Sequence, residues 1–180
     1  DGVTVLVGNA RLMRDKHIDL GEAHAGSEEF EAAGQTVVYV AQGNQLLGSI
    51  AIADPVKEDA AETLIRLRKL GLRTIMLSGD NERTAAAVAH QLGIDEYRAK
   101  MLPEDKVVIV RELQDQGHTV AFVGDGINDA PALKTADIGL AVGTGTDIAM
   151  EAADITLVKG DLGAVLRAIR LSRATFRKIR

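Results

Sequence analysis

The chain has no cysteine among its 180 residues, so disulfides and thiolate metal sites are excluded. Its four histidines, at 17, 24, 90 and 118, form no pair at ligand spacing. Aromatic residues make up only 3% of the chain, too few to interleave with cations as a nucleic-acid surface would require. No apolar run approaches the roughly 18 residues of a membrane span. The N-terminus lacks the charged-then-apolar pattern of a signal peptide. What is present is 46% hydrophobic, the composition of a globular protein with one sizeable core, compatible with the cytosol.

Charge is unevenly placed. Between Leu162 and Arg180 stand six basic residues (Arg167, Arg170, Arg173, Arg177, Lys178 and Arg180) and no acid, so with a total of −5 the remainder carries −11. This basic helix on an acidic body reads either as a solvated face favoured by the helix dipole or as a juxtamembrane segment with a positive-inside bias. An acidic remainder would repel phosphate, so nucleic acid is not an expected partner.

From Val56 onward, apolar strand-like runs alternate with helical periodicities, the signature of βαβ units. The pattern predicts helices over 57–70, 82–92, 103–117, 131–135 and 147–152, strands over 74–77, 118–124, 138–142 and 155–158, and a terminal basic helix. Pro103 sits at the favoured first helical position with Glu104 and Asp105 in the first turn, and Gly71 and Gly93 follow helical runs as C-caps. The expected architecture is α/β, a Rossmann-like doubly wound parallel sheet. Residues 1 to about 52 differ: strand-like runs at 3–7, 36–41 and 46–53, with a turn at Gln42-Gly43-Asn44, suggest part of an antiparallel domain.

In open α/β sheets, ligands bind beyond the carboxyl ends of the strands. Three such positions carry groups suited to phosphate. The string Val123-Gly124-Asp125-Gly126-Ile127-Asn128-Asp129-Ala130-Pro131 places two carboxylates four positions apart in a glycine-flanked turn. Hard carboxylate oxygens suit Mg²⁺. Ser78, after the 74–77 strand, offers a hydroxyl at a helix N-terminus. Lys106 brings a cation able to neutralise charge on a transferring phosphoryl group. Taken singly, each has a plain alternative: Gly-Asp-Gly is turn chemistry, Ser78 a cap, Asp80 a turn former, Asn128 a cap and Lys106 a surface lysine.

Ser78-Gly79-Asp80-Asn81 with Thr84-Ala85, Leu102-Pro103-Glu104-Asp105-Lys106, and Gly124-Asp125-Gly126-Ile127-Asn128-Asp129-Ala130-Pro131 together resemble the phosphorylation domain of P-type ATPases, within the haloacid-dehalogenase superfamily. Ala53-Asp54-Pro55-Val56-Lys57 resembles the hinge where that domain resumes after its inserted nucleotide-binding domain. Val7-Gly8-Asn9 is similar to a nucleotide-contacting segment of the heavy-metal-transporting branch. Gly143-Thr144-Gly145-Thr146-Asp147 through Leu157, and Leu171-Ser-Arg-Ala-Thr175, look most like copper-exporting members. The resemblance covers essentially the whole chain.

It implies that Ser78 and Lys106 contact the phosphoryl group, with Gly79 between Ser78 and Asp80 in the same catalytic loop. Asp125 would bind Mg²⁺ with Asp129 in support, and Asn128 would orient the phosphate. Asp80 would lie near the nucleotide, with Gly8 and Asn9 lining the adenosine pocket. ATP and Mg²⁺ are the implied cofactors. The family's nucleophilic aspartate lies in an Asp-Lys-Thr-Gly-Thr string, which occurs nowhere in these 180 residues, and Ser78 stands where threonine is commoner. The resemblance therefore implies that the nucleophile and the first strand of the sheet lie upstream. Residues 1–52 are then the end of a nucleotide-binding domain, 53–170 the C-terminal segment of a phosphorylation domain, and 171–180 a basic juxtamembrane helix end. The chain is expected to be an incomplete enzyme, the cytosolic part of a membrane protein. Its partners would be ATP and the remainder of the ATPase, and the transported metal would be bound elsewhere. A soluble phosphatase of the same superfamily and a non-catalytic nucleotide- or Mg²⁺-binding module are the alternatives.

Overall fold

The structure, a computed structural model, describes residues 2–53, 56–124, 127–143, 147–158 and 161–179, with the backbone alone at 147–149. Three strands, β1 (Val5–Gly8), β2 (Thr36–Gln42) and β3 (Gln45–Ile52), form an antiparallel sheet in that order. Val37, Tyr39 and Ala41 alternate along β2 toward one face and are buried, as the two-residue period of a strand dictates. Two helices cover them, α1 (Ala10–Asp15) and α2 (Gly21–Ala32). Met13, Ile18 and Leu20 complete this core. The β2–β3 turn places Gly43 at φ 58°, the left-handed region that glycine enters without steric cost. Neither α1 nor α2 was expected from the sequence.

The α/β unit runs α3 (Ala60–Lys69), β4 (Ile75–Leu77), α4 (Glu82–Leu92), β5 (Glu96–Arg98), α5 (Pro103–Asp115), β6 (Ala121–Gly124), a 3-10 turn (Ile127–Asp129), α6 (Ala130–Thr135), β7 (Ile138–Val142), α7 (Asp147–Ala152), β8 (Ile155–Leu157) and α8 (Gly163–Ile179). All its strand pairs are parallel. The ladders form two groups, β4-β5 and β6-β7-β8, so among the described residues no ladder joins β4 to β6. Strand β5 was not foreseen. The strand expected from His118 starts only at Ala121, because the Val120 amide is taken by the Asp137 carboxylate at 2.7 Å. The hinge around Asp54-Pro55 and most of the Gly143–Asp147 motif fall outside the described residues.

Leu77 of β4, Val107 and Val110 of α5, Phe122 of β6 and Leu133 of α6 share one apolar cluster. The residues that follow β4, open α5 and follow β6 are thus carried by a common core. A second cluster joins Leu140 and Leu157 to Ala164 and Val165 of α8, and α3 packs against α8 as well. There the Gly163 amide donates to the Asp59 carboxylate at 3.3 Å. The outer half of α8 exposes Leu171, Phe176 and Ile179. Among the described residues, no helix is long and apolar enough to cross a membrane.

Candidate active site

The loop after β4 is fastened from both sides. The Ser78 amide donates to the Arg98 carbonyl at 2.9 Å, the Met101 amide to the Ser78 carbonyl at 3.0 Å, and the Lys100 amide to the Asp80 carbonyl at 2.7 Å. Lys100 adopts φ 56° to do so, an uncommon conformation for a non-glycine residue. Within the loop, the Ser78 hydroxyl donates to Asp80 Oδ2 at 2.7 Å, and the Asp80 amide donates back to Ser78 Oγ at 3.1 Å. Helix α4 is capped by Asn81, whose Oδ1 accepts from the Thr84 amide at 3.0 Å, so Ser78 is not the cap. A Cβ on Gly79 would make only ordinary contact with the Met101 carbonyl at 3.4 Å, and nothing among the described residues requires glycine there.

Lys106 is no surface lysine. Its ammonium pairs with Asp129 Oδ1 at 2.7 Å, and the two side chains are only 17% and 13% exposed. Helix α5 begins at Pro103, with the Asp105 carboxylate accepting the Leu102 amide at 2.8 Å. That start places Lys106 in the first turn, facing the end of β6. The fit depends on Gly124: a Cβ there would stand 2.7 Å from both Cβ and Oδ2 of Asp129, closer than real contacts allow. Asn128 sits exposed in the 3-10 turn and does not cap α6, which begins after Asp129 with no side-chain cap. Asp125 lies outside the described residues.

The structure thus brings Lys106 to Asp129 and Ser78 to Asp80. Among the described residues, no hydrogen bond joins one pair to the other; the shared apolar cluster beneath Leu77 and Val107 links them. Gly8 and Asn9 lie in the antiparallel unit at the junction of β1 and α1. There Asn9 Oδ1 accepts the Leu12 amide at 3.0 Å, which leaves the Asn9 side-chain amide as its donor group. A Cβ at Gly8 would stand 2.3 Å from the end of the Leu12 side chain.

Sequence reasoning missed the residues by which the antiparallel unit reaches this site. Thr36, the first residue of β2, donates to Asp80 Oδ1 at 3.1 Å. Asn81 donates to Glu31 at 2.9 Å, and Arg83 pairs with Glu28 at 2.7 Å and with Glu31 at 3.6 Å. The buried Thr84 hydroxyl donates to the Gln35 carbonyl at 3.0 Å. A paired Asn81 and Thr84 next to a site loop were legible in the sequence; their partners, 49 or 50 residues away, were not.

A family model described as haloacid dehalogenase-like hydrolase matches residues 2–137. The chain is 53% identical over 180 residues to a probable copper-exporting P-type ATPase V of Mycobacterium tuberculosis and 49% identical over 179 residues to a copper-exporting P-type ATPase of Bacillus subtilis. It aligns over 99% of its own length in both cases, but spans only 23% and 22% of those relatives. In three dimensions it superposes with a TM-score of 0.73 and 46% identity on a zinc-transporting PIB-type ATPase in the E2.Pi state, covering 100% of this chain and 29% of that one. Alternating parallel strands and helices, a motif-bearing loop after each of β4 and β6, and a family match over most of its length place the chain in the haloacid dehalogenase-like hydrolase family.

Proposed function

We propose that this chain is part of the ATP-hydrolysing headpiece of a heavy-metal, and specifically copper, translocating P-type ATPase. The observation that carries the site assignment is the enclosed Lys106–Asp129 pair at the end of β6, on the same core as the Ser78 loop. A cation within hydrogen-bond reach of a strand-end carboxylate is the arrangement that phosphoryl transfer uses to gather negative charge. The copper assignment rests on the relatives' names and the span of the likeness.

In this reading, Ser78 Oγ and the open backbone at Gly79 receive phosphoryl oxygens, and Lys106 neutralises charge there while orienting Asp129. Asn128, exposed in its turn, steers the phosphate. Asp80 stands toward the nucleotide, whose adenosine end meets Gly8 and Asn9. Asp129 keeps Oδ2 free of the lysine contact, and with Asp125 it offers the hard oxygen donors that Mg²⁺ takes; the ion, when bound, neutralises charge on the transferring phosphate. By residue type, two carboxylates four positions apart suit that ion.

The nucleophilic aspartate is assigned to a segment outside these 180 residues. The absence of an Asp-Lys-Thr-Gly-Thr string supports this, as do the unjoined ladders of β4 and β6, between which a further strand would complete one sheet. The basic outer half of α8 is assigned to the cytosolic side of a membrane. The decisive experiment incubates the chain with γ-labelled ATP and Mg²⁺. No acid-stable label is expected. A label mapped to any aspartate of residues 1–180 overturns the assignment.

A further inference from the structure

We propose that the contact between residues 28–36 and residues 80–84 is an autoinhibitory latch: while closed, it withholds the Ser78 hydroxyl from an incoming phosphate. The inference rests on the reading of Ser78 as a phosphate contact.

A serine hydroxyl carries one proton. Here that proton goes to Asp80 Oδ2 at 2.7 Å, while the oxygen accepts the Asp80 amide at 3.1 Å. Two donors that the loop could offer an anion are therefore turned inward, and the carboxylate they serve would itself repel an anion. Before Ser78 can donate to phosphate, Asp80 must release it. Asp80 is kept in place from across the molecule, because Thr36 donates to its other oxygen, Oδ1, at 3.1 Å. Both carboxylate oxygens are thus occupied by hydroxyls, one from each unit.

The next residues extend the same contact. Asn81 holds Glu31, Arg83 holds Glu28 and Glu31, and the Thr84 hydroxyl holds the Gln35 carbonyl. Gly34, at φ 80°, lies against Val88 of α4, where a Cβ would come to 3.6 Å. Every polar link crosses between the same two short segments. Arg83 and Glu28 are 49% and 48% exposed, and exposed ion pairs hold weakly and are screened by salt. The Thr36–Asp80 hydrogen bond is exposed as well, so a modest competing interaction can release it and free Asp80 to turn away from Ser78 without breaking the buried Thr84–Gln35 bond.

The test uses the 180-residue chain and inorganic phosphate with Mg²⁺ at constant ionic strength. It follows the amide resonances of Gly79 and Asp80 and the hydrogen exchange of the Thr84 and Ala85 amides. Thr36→Val keeps the side-chain shape and removes only the hydroxyl. Arg83→Glu sets a like charge against Glu28 and Glu31, and combining it with Glu28→Arg restores the opposite charge across the 2.7 Å pair while Glu31 keeps its bond from Asn81. Both single variants should bind phosphate roughly three- to tenfold more tightly, the scale of one hydrogen bond. Arg83→Glu should also speed exchange at the start of α4, and the charge swap should reverse both changes. Unchanged affinity alongside faster exchange overturns the latch while leaving Ser78 as a phosphate contact. Weaker binding in Thr36→Val overturns it as well, since Thr36 would then be positioning a productive loop. If phosphate moves neither amide in any variant, the Ser78 reading and the latch fall together.

Discussion

The two halves of the site are held in opposite ways. Lys106 and Asp129 form a charged pair enclosed by their own unit and seated against a glycine that cannot carry a side chain. Ser78 and Asp80 form a neutral-to-charged hydrogen bond in a loop whose outer tie, Thr36, comes from the other unit. The first half is fixed by packing; the second has its backbone pinned to residues 98–101 of its own unit, while the outer oxygen of Asp80 is held by a residue of the other unit. On the proposed reading, a phosphate site with one half closed by its own unit and the other tied to a second unit can be well ordered without being permanently open.

The sharpest way to break this contrast is Gly124→Ala. The added methyl collides with Cβ and Oδ2 of Asp129, and overpacking of this kind costs about 1–3 kcal/mol. We expect a clear drop in thermal stability together with displacement of the Asp129 carboxylate, read from the melting midpoint and side-chain carboxyl resonances. Wild-type stability in this variant would show that the β6 end is not rigid.

Next in size is Lys106→Met, which keeps the aliphatic stem and leaves Asp129 without its partner. An enclosed acceptor stripped of a charged donor costs about 1–3 kcal/mol, measurable by urea unfolding. Because the proposed Mg²⁺ site uses Asp129, this change should also alter the Mg²⁺ dependence of the protein's resonances. A bare surface lysine would give neither effect.

Asn81→Ala removes an N-cap and the link to Glu31 in one step. The expected loss is about 1 kcal/mol, concentrated as faster amide exchange in the first turn of α4 with the β6 end untouched. Spread of the effect to Asp129 would mean the two halves are not independent.

The smallest expected effect lies at the opposite end of β6. The Val120 amide, and after it the Gln114 side chain, hold the Asp137 carboxyl below its ordinary value. A depressed folded-state value means that this contribution is present above the unfolded value and is lost as the pH falls through the lower folded-state value. The melting difference between wild type and Asp137→Asn should therefore shrink as the pH drops from about 5 toward 3. A difference that persists at the acid end would contradict the hydrogen bond to Val120.

Where local signals were strong, the sequence was readable to the residue. Helix α4 runs Glu82–Leu92 as the spacing predicted, because Asn81 caps one end and Gly93, at φ 64°, the other. Strand β7 and helix α7 also have the expected bounds. Helix α2 escaped notice because only Ser27 along its length is fully buried, so it carries almost no apolar period. Three-residue β5, with Glu96 and Arg98 in it, owes its existence to pairing with β4 rather than to its own residues. Of the candidate site, only the local placement was legible. A lysine in the first turn of one helix and a carboxylate after the next strand are placed together by the βα rule, whereas Thr36 meets Asp80 across 44 residues without any pattern in the chain to announce it.

The tie between Gly163 and Asp59 spans 104 residues, and it joins the first helix of the α/β unit to the last. On a ribosome that emits the chain from its N-terminus, α3 leaves long before α8 exists. Its contact with α8 must wait through the synthesis of every strand from β4 to β8. The β6-β7-β8 ladder, by contrast, closes over short crossovers as soon as its own strands emerge. Contacts of such separation slow folding and leave apolar surface open meanwhile, so nascent chains stalled before residue 163 should be the ones that engage chaperones.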